Sequence, residues 1–192
     1  MDIFSKFDEK WGGEQNRTDT PKDILNVYSD ILPDQLLKFW KVYGFSSFGN
    51  GLFWTVNPKE YDEVIKEWLD VSEYHPVVFM RNSFGGLLIW NTELEGIHYL
   101  NVVKGESRVL IRSVSMFMNR VLTDDKFIEN DFLYDFHQKA YEKLGAVGVD
   151  ECYAFEPAIA IGGDMDVGNI TKRKTVPHLY LLSQVTEVVD LD

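Results

Sequence analysis

One cysteine, Cys152, stands in a chain of 192 residues, so no internal disulfide can form and a reducing compartment is expected. Basic residues are also scarce. There are 19 Lys and Arg against 31 Asp and Glu, a formal net charge of −12. A surface of that sign repels phosphate backbones and anionic lipid. It argues against direct nucleic-acid or membrane binding and in favour of a cationic partner, although the same charge also serves solubility. No apolar run approaches the ~20 residues of a membrane helix. The N-terminus, Met1 to Lys10, is acidic and mixed rather than basic then apolar. No secretory leader is expected there, and the protein reads as cytoplasmic.

Recognisable catalytic signatures are missing too. His75, His98, His137 and His178 fall on separate elements with no pair at helical spacing, and Cys152 has no cysteine neighbour, so neither a metal site nor a cofactor is expected. Phe84-Gly85-Gly86 and Gly162-Gly163 lack the further residues of a phosphate loop and read as turns. Asp164, Asp166, Gly168 and Asn169 faintly resemble a calcium loop, but Arg173 and Lys174 stand where its closing glutamate would be. Cys152 could pair with His137 or His178, yet Glu151 beside it and burial would both raise the thiol pKa. A small buried hydrophobe is the simpler role for it. No enzyme emerges.

What the chain does have is ample core material, 45% of its residues being hydrophobic. The clearest helix runs through Leu36, Leu37, Trp40 and Tyr43, with Pro33 in its first turn and Gly44 as its stop. A strand follows at Leu52–Val56, carrying Trp54, and then a helix opened by Asn57 and Pro58 through Tyr61, Val64, Ile65, Trp68 and Leu69. Short turns separate apolar runs at 77–80, 86–90, 97–103 and 108–112, the pattern of antiparallel neighbours. Helical patterns return at 114–122, 132–144 and 177–185, with a basic strand-like segment at 167–175. The expected fold is therefore α+β: a central, mostly antiparallel sheet flanked by helices in a single compact domain with two lobes. Residues 1–20 read as a lead-in, in which Ile3, Phe4, Phe7 and Trp11 recur at the spacing of a short docked helix and Thr20 and Pro21 would cap the following turn. The lobes span roughly 21–112 and 113–186, and 187–192 read as a frayed acidic tail.

The stretch from Asp150 to Gly163 is the centre of this arrangement. Asp150 and Glu151 open it, Cys152, Tyr153 and Phe155 alternate along it, and Pro157 precedes an apolar run closed by Gly162 and Gly163. A short apolar run bounded by turn residues reads as a buried strand. Acids flank it at Asp164 and Asp166, and a second group lies at Asp124, Asp125, Glu129 and Asp131. A solvated face is the common reason for such groups, but an acidic docking surface is compatible with everything above.

Four islands carry a family resemblance: Leu32, Pro33, Leu36, Leu37, Phe39, Trp40 and Tyr43 to Phe45; Gly51 to Trp54 with Val56 to Pro58, Glu60 and Tyr61; Phe84 to Trp90; and Asp150 to Gly163 with Pro177, His178, Leu179, Leu182 and Gln184. Together they resemble the GAD-related domain proteins that act as immunity partners of type VI secretion DNase effectors. Gly86 departs from the family's usual acid at that position, as do Ala154 from a glycine and Pro177 from an acid. The resemblance implies a partner, a cognate toxin that is a basic nuclease, neutralised when its active or DNA-binding face is covered. The first choice of docking acids is Asp164 with Asp166. Two rivals stay open: a ligand-binding or enzymatic domain with a pocket near Tyr153 and Phe155, and a regulatory module without a toxin.

Overall fold

The structure, a computed structural model, describes residues 3–71 and 75–191. Met1 and Asp2 of the lead-in and Asp192 of the tail lie outside them. In chain order the elements are α1 (Ser5–Trp11), β1 (Gln15–Thr18), α2 (Lys22–Val27), α3 (Asp34–Tyr43), β2 (Phe45–Phe48) and β3 (Phe53–Thr55). After 3-10 turns at Pro58–Glu60 and Val64–Glu67 come β4 (Pro76–Asn82), β5 (Leu87–Asn91), β6 (Gly96–Asn101) and β7 (Glu106–Ile111). Then α4 (Val114–Met116) widens into a π turn at Phe117–Val121, followed by α5 (Asp125–Asp131) and α6 (Tyr134–Leu144). Last come β8 (Glu151–Phe155), β9 (Ile170–Lys174), α7 (Thr175–Ser183) and β10 (Val189–Asp190).

Strands β1 to β7 lie side by side in chain order, each antiparallel to the next, and β10 joins β7 in parallel. This is the α+β fold with a large, mostly antiparallel sheet that the sequence predicts. Strand side chains alternate between faces, and here both faces are covered. Leu88 and Trp90 of β5 enter one core with Phe4, Phe7, Leu36, Trp40, Phe117 and Ile128 from the helices. Leu87 and Ile89 enter the other, with Tyr61, Val64, Ile65 and Trp68 from the 3-10 turns and Leu179 and Leu182 from α7. The β4–β5 register shifts between Val78 and Met80, which lets the consecutive Phe79 and Met80 both join the first core. Strands β8 and β9 form a separate two-stranded sheet, and a third small core joins β8 to α6 through Phe155, Tyr153 and Ala140.

Several expectations are corrected. The apolar run after Pro157 is not a buried strand. The strand is β8, in front of the proline, and 159–161 make a 3-10 turn with Ile161 61% exposed. The helix expected through Tyr61 to Leu69 is two 3-10 turns, although Tyr61, Val64, Ile65 and Trp68 are buried as its spacing required. Thr20 does not cap α2; its hydroxyl donates to the Trp40 carbonyl at 3.0 Å, and Pro21 occupies the cap position. The last helix starts at Thr175 rather than Pro177 and stops at Ser183. The tail is paired, not frayed, with Val189 N–H donating to Gly105 and Leu191 N–H to Ser107. In residues 1–20 the docked helix that the spacing of Phe4, Phe7 and Trp11 suggests is α1, with Phe4 and Phe7 in the first core, but the loop-like stretch after it supplies β1 at the sheet edge.

Candidate functional site

Strand β8 seats the central stretch in the third core. Phe155 stacks on Phe84 with ring centroids 5.4 Å apart, and the Tyr153 hydroxyl donates to the Gly145 carbonyl at 2.7 Å, closing the end of α6. The Tyr153 N–H donates to the Ser83 carbonyl at 2.7 Å, which ties the small sheet to the β4–β5 turn. The space left beside these rings is about 10 Å³, room for one water at most. A ligand pocket at Tyr153 and Phe155 is therefore filled by the protein's own aromatics. Gly163 follows directly from this packing: a Cβ there would lie 1.9 Å from the Pro157 carbonyl oxygen. Gly86 is held the same way, since a Cβ would lie 2.7 Å from both Asn82 Nδ2 and Tyr99 Oη. The acid that the family resemblance places at that position has no room in this chain.

The potential nucleophiles are inside. Cys152 is fully buried, and burial pushes its thiol up to about 11. Cys152→Ala should cost on the order of 1–2 kcal/mol of stability, measured by urea unfolding, and the native parent should react with thiol reagents only on the unfolding timescale. His137 is 2% exposed, its Nδ1 3.0 Å from the buried Ser83 hydroxyl, and burial lowers its pKa to about 4. In the unfolded chain it titrates near 6.5. Both states are neutral above that pH, and only the unfolded state takes the proton between 6.5 and 4. Stability should therefore fall by about 3 kcal/mol as pH drops through this window, and His137→Gln should flatten that part of the curve. Among the described residues no group of three His, Cys, Asp or Glu is placed to hold a metal ion.

The acids are distributed in a way the sequence does not reveal. Asp150 accepts from Lys174 Nζ at 2.6 Å, a bond that holds its carboxyl below the usual range, and Glu151 Oε2 accepts from the Gly148 N–H at 3.0 Å. Asp124 caps α5 through the Phe127 N–H at 2.8 Å, and Asp166 caps its own turn through the Gly168 N–H at 2.6 Å. Asp125 is exposed but meets Lys10 at 2.5 Å, and Glu129 reaches the Asp135 N–H at 3.4 Å. Asp131 is only 8% exposed and pairs with Arg108 at 2.5 Å; burial raises its carboxyl pKa against the pull of that guanidinium. The carboxylate of exposed Asp164 has no hydrogen-bond partner among the described residues. The two groups do not converge. Helix α5 leads into the start of α6, whereas Lys143 near its end donates to the Val167 and Gly168 carbonyls at 3.0 Å. An 11-residue helix separates them by about 16 Å.

Residues 2–103 match the family described as GAD-like domain, and residues 112–186 match the one described as T6SS immunity protein Tdi1, C-terminal. This chain is a GAD-like immunity protein of type VI secretion. The fold of the immunity protein is similar to that of Atu4351 from Agrobacterium tumefaciens, known from a crystal structure, with a TM-score of 0.82 over 97% of this chain and 91% of that one. Identity is 14%, so this likeness bears on the fold alone. No curated protein matches the chain.

One functional candidate of the immunity protein is absent from the sequence reading. Arg81 lies in β4 with no exposed surface, its Nη2 donating to the carbonyls of Gly148 and Val149 at 2.9 Å each. Its guanidinium sits 5.5 Å from the centre of the Trp54 ring. It thus pins the segment before β8 to the face of the main sheet. The available signal was a lone charge in an otherwise apolar strand, Val77 to Met80.

Proposed function

We propose that the immunity protein meets its toxin in the cytoplasm, that the toxin is a DNase, and that one copy blocks one toxin by covering its cationic DNA-binding face. No turnover is involved. The observation that carries the reading is the charge, −12 in net, with Asp164 and Asp125 among the exposed acids. A nuclease must present a positive surface to phosphates, and an acidic protein competes for that surface while associating fast. The buried state of Cys152 and His137 fits a binding role better than a catalytic one.

The test is kinetic. The candidate toxin, sought first in the product of the neighbouring gene, is expressed with and without the immunity protein in a growth assay, and the purified pair is followed by stopped flow across a salt series. The screening length shrinks from about 30 Å at 0.01 M to about 8 Å at 0.15 M, so association should slow roughly ten-fold while dissociation changes less. Asp164→Lys combined with Asp166→Asn, which keeps a capping oxygen, should slow it further. An association rate indifferent to salt and to these substitutions would assign the acidity to solubility alone.

A further inference from the structure

Three open grooves on the described surface differ in the sign of their charged lining. One carries Lys6 and Arg120, and a second mixes Asp30 and Glu95 with Arg112. The third, about 620 Å³, has only carboxylates, Glu60 and Glu151. Its floor is apolar, made by Phe45, which also packs in the first core, and by Trp54 and Val56, which pack in the second, all three nearly buried. The opposite wall is the segment from Ala146 to Val149, where Val149 is left 54% exposed.

We infer that this groove is where the immunity protein grips its toxin, and that the occupant is a cationic segment presenting an apolar side chain flanked by lysine or arginine. The inference rests on the proposed toxin-binding function and names the site within it. Charge sets the class of occupant: the apolar side chain fills the groove and a flanking cation meets exposed Glu60 at the rim, whereas Glu151 already accepts from the Gly148 N–H at 3.0 Å and lies 3.8 Å from Lys174 Nζ. The groove is also held open in advance. Arg81 fixes the wall through the Gly148 and Val149 carbonyls while lying against the floor through Trp54, so binding need not order either side. One side comes from the part that matches the GAD-like domain and the other from the part that matches the Tdi1 C-terminal family. The grip therefore exists only where the two parts meet.

The experiment uses the full chain and the toxin against which it protects in the growth assay. Val149→Arg with Glu60→Lys fills and recharges the groove at exposed positions, so its melting temperature should match the parent's. It should bind the toxin at least ten-fold more weakly, mainly through faster dissociation, and lose protection in the growth assay. Glu60→Gln alone should weaken binding at low salt and not at 1 M, where screening acts within about 3 Å. Met116→Arg, in the groove that carries Lys6 and Arg120, should change nothing. Tight binding by the groove variant, a Met116→Arg defect in its place, or indifference to Glu60→Gln at low salt would each overturn the inference while leaving the toxin-binding function standing. Failure of the parent itself to bind or protect would instead overturn that function, and the groove with it.

Discussion

Trp40→Ala is expected to lower stability by roughly 3–5 kcal/mol and to leave little soluble protein. Trp40 is 1% exposed and meets Tyr28 and Phe45 edge-on, with centroids 6.0 and 5.6 Å away. Removing the indole opens a cavity between α3 and the sheet that rigid aromatics cannot collapse to fill, and it forfeits two ring contacts of about 0.5–1.5 kcal/mol each. The backbone around it cannot compensate, because the Trp40 carbonyl already takes the Thr20 hydroxyl and the Gly44 N–H. A domain holds only about 5–15 kcal/mol in total, so a loss of this size is a large share of it. Urea unfolding of Trp40→Ala beside Trp40→Phe, which leaves a ring in place, should show the phenylalanine variant losing less than half as much. Trp54→Ala should lie in the same range, since Trp54 is 2% exposed. A parental midpoint for Trp40→Ala would mean that α3 does not pack on the sheet as described.

Legibility followed the range of the forces involved. Helix α3 was readable because its period, its proline and Gly44 all lie within one short stretch. Strands β4 to β7 were readable because short turns make successive strands neighbours. The pairing of β10 with β7 was not, since nothing local to Val189 and Asp190 encodes a partner that far upstream. Ala158 to Ile161 misled because an apolar run states only that burial is favourable; the close approach of Gly163 to Pro157 bends it into a turn. Acids misled for a related reason. Asp124 and Asp166 sit where backbone N–H groups need an acceptor, and Asp131 where Arg108 needs a counter-charge, so net charge overstated what remains free at the surface. The groove at Glu60 joins residues remote in sequence, and only the fold brings them together.

Arg81→Ala is expected to cost about 4 kcal/mol, the balance of three opposed terms. The side chain is fully buried, and deleting one of this length from a core costs about 2–5 kcal/mol in packing. The Gly148 and Val149 carbonyls lose their shared donor, at about 1–3 kcal/mol for each to the extent that water cannot replace it. Against these stands the cation's own desolvation, several kcal/mol, which the mutation relieves because no carboxylate pairs with it among the described residues. Arg81→Met separates the terms by keeping the volume and removing the charge, so it should cost about half as much, roughly 2 kcal/mol. Below its melting temperature the methionine variant should still be folded, but its wall from Ala146 to Val149 would have lost the bonds that pin it. Amide exchange at Gly148 and Val149 should then quicken while β5 and β6 keep their protection, and toxin should dissociate faster from a groove no longer held in shape. If Arg81→Met matched the parent in stability and in exchange along that wall, packing alone would hold the segment. The buried cation would then have to be explained without the groove.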